Sequence, residues 1–186
     1  MATTPVLDLT QSQVLTLVKS FLQDFTGVDP QYVIQGQSNR VAAPNVPTYI
    51  VFTPINKIRL STNTKEYNAV SGPLLNQQTT TQSVQMGVQV DFYGPTSGDL
   101  AQIISTEFRD SDAYDYFATT GAGIQVWPLY TSDPRQLPFS DEGDQIQMRW
   151  SLDLQLQIKA GVTLPQTFAD SLEIGLIPVD VYYPPT

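Results

Sequence analysis

Two clusters of carboxylates are the residues of this chain whose types and spacing could do chemistry. Asp110, Asp112 and Asp115 recur in the stretch RDSDAYD, in the manner of the first ligands of a calcium loop. The glycine that such a loop needs for its sharp turn is missing, and Tyr114 stands at a ligand position. We therefore interpret this cluster as a solvated junction between a helix and a loop. The second cluster, DEGD at Asp141–Asp144, is interpreted as a hairpin turn.

Other catalytic arrangements lack their essential residues. The chain has no histidine and no cysteine, which excludes Ser-His-Asp and Cys-His nucleophile systems and thiolate zinc sites. Gly121-Ala122-Gly123 lacks the third glycine of a dinucleotide-binding loop and precedes a predicted strand. Trp127 and Trp150 lie in apolar strand patterns, and core packing is predicted for both rather than ligand stacking. Paired carboxylates of a hydrolase stay open as an alternative, but the pattern predicts no enzyme, no cofactor and no metal site.

The charges are distributed unevenly along the chain. The net charge is −9, which argues against nucleic-acid binding on the outer surface. From Pro30 to Lys65, however, there is no Asp or Glu, and the basic residues of this stretch are Arg40, Lys57, Arg59 and Lys65. Two interpretations stay open. The stretch is a chance fluctuation in a solvated region, or the protomer has a basic and an acidic patch that contact further copies head to tail.

The elements that must position these residues mix helices and strands. A capping box at Thr10–Gln13 and an apolar stripe predict a helix that ends at Gly27. A second helix is predicted after Thr96, and a short helical turn over Asp112–Phe117. The predicted strands are Tyr32–Gln35, Thr48–Leu60 with an interruption at Pro54, Lys65–Val70, Thr79–Tyr93, Ile124–Tyr130, Gln145–Lys159 and Asp170–Tyr182.

These elements predict an α+β fold: a single, mainly antiparallel β-sheet with two long strands, and one or two helices packed on its apolar face. The composition agrees, because 41% of the residues are apolar, which is enough for a core. We expect one domain over residues 1–186 with flexible ends at 1–9 and 183–186. No apolar run reaches membrane-spanning length, and the N-terminus lacks the features of a signal peptide.

The two long predicted strands raise a question of size. The segment Gln145–Lys159 alternates apolar and polar residues throughout, and a strand of this length spans about 50 Å. A compact domain of this chain length is about 42 Å across. Such a strand can bend, project as a hairpin or complete its pairing on another subunit. Two alternatives are equal: the long strands form an arm that leaves the core and contacts another subunit, or they belong to a strongly twisted sheet inside one subunit.

Several segments of the chain carry a family resemblance. The most specific are DPRQLP (Asp133–Pro138) and the YGP junction before the second helix (Tyr93–Pro95). The others are RLSTNTKEY (Arg59–Tyr67), VQVDFYGPTSGDLAQIISTEFRD (Val88–Asp110), PLYTSDPRQLPF (Pro128–Phe139), QMRWSLDLQLQ (Gln147–Gln157), VTLPQTFAD (Val162–Asp170) and the weaker GQSNRVAAPNVP (Gly36–Pro47). Together these segments resemble the neck or tail terminator proteins of tailed bacteriophages. The chain departs from the family at Phe92, where members often have cysteine, and at Lys159-Ala160, where they often have Asn-Pro.

This resemblance implies a tail-terminator-like fold and a structural protein of the virion neck and tail, without catalytic residues. Such proteins form a ring, commonly of six copies, that caps the tail tube and joins it to the head–tail connector. The implied partners are further copies of the chain, a connector or adaptor protein, and tail tube and sheath proteins. The resemblance also implies that DNA passes through the lumen without sequence-specific binding, that no membrane is involved and that assembly takes place in the host bacterial cytoplasm. A monomeric ligand- or receptor-binding β-domain of a phage tail is the alternative.

Candidate interface residues follow from the charge pattern and from this resemblance. The resemblance makes the loops Gly36–Pro47 and Thr131–Phe139 candidate inter-subunit or tube-facing elements. The charge pattern adds the basic stretch and the acidic turn. The full set of candidates is Asn39, Arg40, Pro44, Lys57, Arg59, Lys65, Asp133, Arg135, Gln136, Asp141, Glu142 and Asp144.

Overall fold

The computed structural model describes residues 4–37, 44–68, 76–121, 123–137, 139–140 and 146–165. Three α-helices lie in these ranges: α1 (Gln11–Thr26), α2 (Ser97–Glu107) and α3 (Ser111–Thr120), with a 3₁₀ turn at Pro30–Tyr32. No helix in the described ranges combines the length and the apolar character needed to cross a membrane.

Helix α1 begins and ends at the predicted residues. The Thr10 hydroxyl accepts a hydrogen bond from the Gln13 backbone N–H at 3.3 Å, and the Gln13 side chain accepts one from the Thr10 N–H at 2.9 Å. This is the predicted capping box. Gly27 ends the helix in the left-handed conformation with φ 66°. The predicted apolar stripe is buried at Val14, Leu15, Leu17, Val18, Phe21 and Leu22.

The starts of α2 and α3 differ from prediction. Thr96 is the N-cap residue of α2 by position, but its side chain makes no capping hydrogen bond and lies 3.3 Å from the Thr48 hydroxyl. Helix α3 extends beyond the predicted turn at Asp112–Phe117. It begins after Asp110, whose Oδ1 accepts a hydrogen bond from the Ser111 N–H at 2.6 Å. The RDSDAYD cluster therefore caps and opens a helix.

The strands form one mixed sheet and a separate small pair. β5 (Gln77–Tyr93) and β10 (Arg149–Pro165) lie side by side, and β3 (Tyr49–Arg59) and then β4 (Thr64–Asn68) pair antiparallel with the other side of β5. On the far side of β10 lie β1 (Val6–Leu7), β6 (Val126–Thr131) and β7 (Arg135–Gln136). β2 (Val33–Gln35) pairs parallel with β3, and β8 (Phe139–Ser140) pairs with β9 (Ile146–Gln147).

The predicted α+β class is confirmed, but two details of it are wrong. The sheet is mixed rather than mainly antiparallel, because β2 runs parallel to β3. The described part of the chain contains three helices instead of one or two. A short strand such as β2 carries no signal in its own sequence for the direction of its neighbour, so the parallel pair was not predictable from alternation.

The long strands complete their pairing within the chain. β5 and β10 are paired in antiparallel register from Tyr93↔Arg149 to Gln77↔Pro165. The other side of β5 is occupied by β3 and β4, and that of β10 by β1, β6 and β7. Of the two alternatives, pairing inside one subunit is therefore the one that the structure shows, and strand length is no argument for assembly.

The segment predicted as one strand, Gln145–Lys159, is divided between two sheets. Ile146–Gln147 pairs with β8, whereas β10 begins only at Arg149 and continues past Lys159 to Pro165. Met148 lies between the two strands and is 53% exposed. Alternation of apolar and polar residues continues across this change of partner, which is why the pattern alone missed it.

Alternation along the central strands gives the sheet a helix-covered face and an open face. α2 contacts β5 and β10, α3 contacts β6, and α1 contacts α2, α3 and β2. Trp150 packs against this core as predicted, whereas Trp127 pairs with Gln157 on the open face and is half-buried, so core packing is wrong for it. Among the side chains that build the core are Phe21, Met86, Val88, Val90, Phe92, Ile104, Phe108, Phe117, Leu152, Leu154 and Leu156.

Candidate assembly surfaces

A bulge in β3 determines the face on which the predicted basic residues lie. The register between β3 and β5 shifts between Pro54 and Asn56. Beyond the shift, Lys57 pairs with the core residue Met86, and Arg59 follows on the same face. Because directly paired residues of an antiparallel sheet share a face, both cations lie on the helix-covered side of the sheet, at its β3 border.

Lys65 extends this row along β4. It pairs with Thr80, which lies on the same face of β5 as Met86 because the two are an even number of residues apart. Lys57, Arg59 and Lys65 thus form a row about 20 Å long, which we call the basic edge. All are exposed, and no described carboxylate forms an ion pair with them.

The predicted interface residues Asp133 and Arg135 are already held by ion pairs inside the chain. Arg109 Nη2 lies 2.9 Å from Asp133 Oδ1 and also donates a hydrogen bond to the Thr131 carbonyl oxygen at 2.8 Å. Arg135 Nη2 lies 2.9 Å from Asp153 Oδ2. These contacts fasten the segment after β6 to the end of α2 and to β10. The two side chains still reach solvent, with 91% and 51% exposure.

The remaining candidates are scattered or lie outside the described residues. Gln136 is exposed in β7, where it pairs with Trp150. Pro44 is half-buried ahead of β3. The candidates that fall outside the described residues are Asn39, Arg40, Asp141, Glu142 and Asp144.

Helices α2 and α3 carry acidic residues that the predicted interface candidates do not include. Within the described residues Ser97–Thr120 the only cation is Arg109, and it is already paired with Asp133. The signal was present in the sequence, but RDSDAYD was assessed only as a metal loop. The described acidic residues of this surface are Asp99, Glu107, Asp110, Asp112 and Asp115, all of which reach solvent.

The open face of the sheet carries mainly neutral polar side chains that bond to one another. Gln85 Nε2 donates to Gln155 Oε1 at 2.9 Å and to the Tyr130 hydroxyl at 3.0 Å. Farther along the same face, the hydroxyls of Thr79 and Thr163 lie 3.0 Å apart. Neutral groups of this kind can be covered by a partner at a lower desolvation cost than charges.

At the end of the open face where β10 begins, aromatic and charged side chains contact one another. The Tyr49 and Tyr93 rings stack with centroids 4.5 Å apart, and Arg149 lies 5.7 Å from the centroid of the Tyr93 ring. Burial raises the pKa of the Tyr93 hydroxyl; the Arg149 charge opposes this shift and the Asp91 charge adds to it. Nearby, Ser151 Oγ is buried without a hydrogen-bond partner among the described residues, so no base activates it as a nucleophile there.

The described residues include clefts of about 290 to 340 Å³ but no cluster of metal-binding side chains. They contain no group of three or more His, Cys, Asp or Glu side chains that could hold a metal ion. A cleft of about 330 Å³ has charged groups of both signs in its lining, from Asp8, Glu66 and Lys159. Neither Trp127 nor Trp150 lines this cleft, so neither could stack on a ligand bound there.

Comparison with families of known proteins gives one match across most of the chain. The model of a family described as phage neck terminator protein matches residues 12–180. The match includes all the segments on which the resemblance was based, and it confirms that resemblance. No curated protein matches the chain.

Proposed function

The chain belongs to the phage neck terminator protein family, and from this premise we propose that its copies close into a ring that caps the tail tube and joins it to the head connector. Membership of the family makes it a structural protein of the virion neck that interacts with other neck and tail proteins. The ring, its channel for DNA and the identity of its neighbours are the parts that we propose.

One observation supports a ring: the protomer has two different charged surfaces on opposite sides. The basic edge lies along β3 and β4, on the β5 side of the sheet. The acidic α3 contacts β6, on the β10 side. A two-fold dimer uses one self-complementary surface, whereas head-to-tail contact uses two different surfaces and closes into a ring when the rotation permits. Two surfaces of opposite charge suit the second arrangement.

The ring has six copies in this proposal, in keeping with the resemblance described above. Its axial partners are a connector or adaptor protein on one side and tail tube and sheath proteins on the other. The candidate residues of the loops before β3 and after β6 would serve these contacts, together with the acidic turn at 141–144. A protomer with a net charge of −9 also suits a channel through which DNA slides without binding.

Ring formation is tested by native mass spectrometry and negative-stain microscopy of the purified chain at about 0.05 M and about 0.5 M salt. The same measurements are repeated with purified tail tubes, because a tube end can template the ring. We expect closed rings of one size, bound at tube ends and weakened by salt. A monomer under every condition, with bare tube ends, would refute the proposal.

A further inference from the structure

Exposed apolar side chains are concentrated at the two outer borders of the sheet. Eight of the eleven large apolar residues that are exposed in the described ranges lie on outer strands or directly beside them. On the border formed by β3 and β4 these are Ile55, Ile58, Leu60 and Tyr67. On the border formed by β1 and β6 they are Val6, Leu7, Leu129 and Tyr130.

The backbone of both borders is also open within the described residues. The outer side of β3 pairs with β2 only from Ile50 to Phe52, and no described strand pairs with the outer side of β4 or of β6. Unpaired strand edges are templates for contact with another chain. Apolar side chains beside them add area that gains from being removed from water.

The charges at the borders indicate which border of one copy contacts which border of the next. If the β3–β4 border met its own copy, Lys57, Arg59 and Lys65 would face like charges, which is unfavourable. The other border is flanked by α3, where Asp112, Tyr114 and Asp115 are exposed. Contact of the basic edge with this acidic border pairs opposite charges.

We propose that neighbouring copies meet with the basic edge and Ile55, Ile58 and Leu60 of one copy against β6 and α3 of the next. This inference rests on the proposed function and names the two surfaces by which the ring closes. It assigns the partner of the basic edge to Asp112 and Asp115 of α3.

Two charge-reversed variants test the assignment. The edge variant carries Lys57→Glu and Arg59→Glu, so both of its borders are acidic. The helix variant carries Asp112→Lys and Asp115→Lys, so both of its borders are basic. We expect each variant alone to remain a folded monomer by circular dichroism and native mass spectrometry, with assembly at least about tenfold weaker than in the original chain.

Mixing the two variants gives the decisive result. In an equal mixture, each border meets a border of opposite charge only when the two variants alternate, so rings should return with equal numbers of both. Lys19→Glu is the control, because it reverses a cation of α1, which belongs to neither proposed surface, and it should keep its rings.

The possible failures are distinguishable. If the original chain forms rings and both reversed variants do so as well, the assignment of surfaces is overturned while the ring stands. Loss of rings in the Lys19→Glu control, or a mixture that stays monomeric, also overturns it. If the original chain forms no ring even on tail tubes, the proposed function fails and this inference fails with it.

Discussion

Arg149 forms an ion pair with Asp91 through two of its nitrogens, at the residue where β10 begins. Arg149 Nη2 and Nε lie 3.0 Å and 3.1 Å from Asp91 Oδ1, and Gln89 Nε2 donates to the same carboxylate at 3.2 Å. The side chains are only 22% and 8% exposed. The pair therefore lies in a region of reduced solvent screening and links the paired ends of β5 and β10.

Replacing Asp91 with alanine should lower the free energy of unfolding by about 3 kcal/mol. The reason is that Arg149 would keep its charge in a largely buried position without its partner. Equilibrium unfolding in urea, followed by circular dichroism, measures the loss. The dependence of the unfolding free energy on urea concentration should not change, because the variant should expose the same surface area on unfolding as the original chain.

Asp133→Ala is the matched control for this ion pair. It also removes a carboxylate that lies 2.9 Å from an arginine, but its side chain is 91% exposed and that of Arg109 is 46% exposed. Water screens such pairs, so the loss should stay below about 1 kcal/mol. Equal losses in the two variants would show that burial does not decide the strength of these pairs.

The YGP junction, one of the two most specific segments of the family resemblance, has a physical basis at Gly94. Its φ is 105°, and a Cβ atom built there would collide with the Pro47 carbonyl oxygen. Gly94→Ala should therefore cost at least about 3 kcal/mol, through backbone strain and a clash that only backbone movement can relieve. Thermal unfolding of the variant tests this.

Gly27→Ala separates the two causes. Gly27 also has a positive φ, of 66°, but no atom lies within 4 Å of the Cβ position. This variant has the strain without the clash, so its cost should be about 1 kcal/mol. A loss at Gly94 no larger than the loss at Gly27 would contradict the role assigned to Pro47.

Helix α1 was predictable because its signals are local. Thr10 and Gln13 are three residues apart and satisfy each other's backbone groups, and Gly27 ends the helix without help from the rest of the chain. The strands were located by their alternation for a similar reason. Alternation does not specify which strand is the partner. The parallel pairing of β2 and the change of partner at Met148 were therefore missed.

The faces of the interface candidates depended on contacts between distant segments. Lys57 and Arg59 owe their face to the bulge after Pro54, and a Cβ at Gly87, opposite the bulge, would require the Asn56 side chain to shift. The ion pair between Arg109 and Asp133 likewise joins residues that only the fold brings together. The sequence could identify these charges but not their partners.

The hydrogen bond between Tyr116 and Asp24 makes stability sensitive to alkaline pH. The Tyr116 hydroxyl donates to Asp24 Oδ2 at 2.6 Å, and burial, followed by this hydrogen bond and the carboxylate charge, raises the pKa of Tyr116 from its ordinary 10.0 to about 12. The folded state thus keeps the phenol proton to a higher pH than the unfolded chain does. Its contribution to stability is complete below pH 10.0 and is lost as the pH rises towards about 12.

Tyr116→Phe should therefore lose less stability than the original chain as the pH rises from 10.0 to about 12. The ring can keep its edge contacts with Phe21 and Phe25, so the variant isolates the hydroxyl. Urea unfolding between pH 9 and pH 12 should show a shallower fall in stability for the variant, and ultraviolet titration of the folded protein should lose a phenol that ionises near pH 12. Tyr114→Phe, which removes an exposed hydroxyl from the same helix, should leave that late phenol in place. Identical pH profiles for the original chain and Tyr116→Phe would refute the link between Asp24 and alkaline stability.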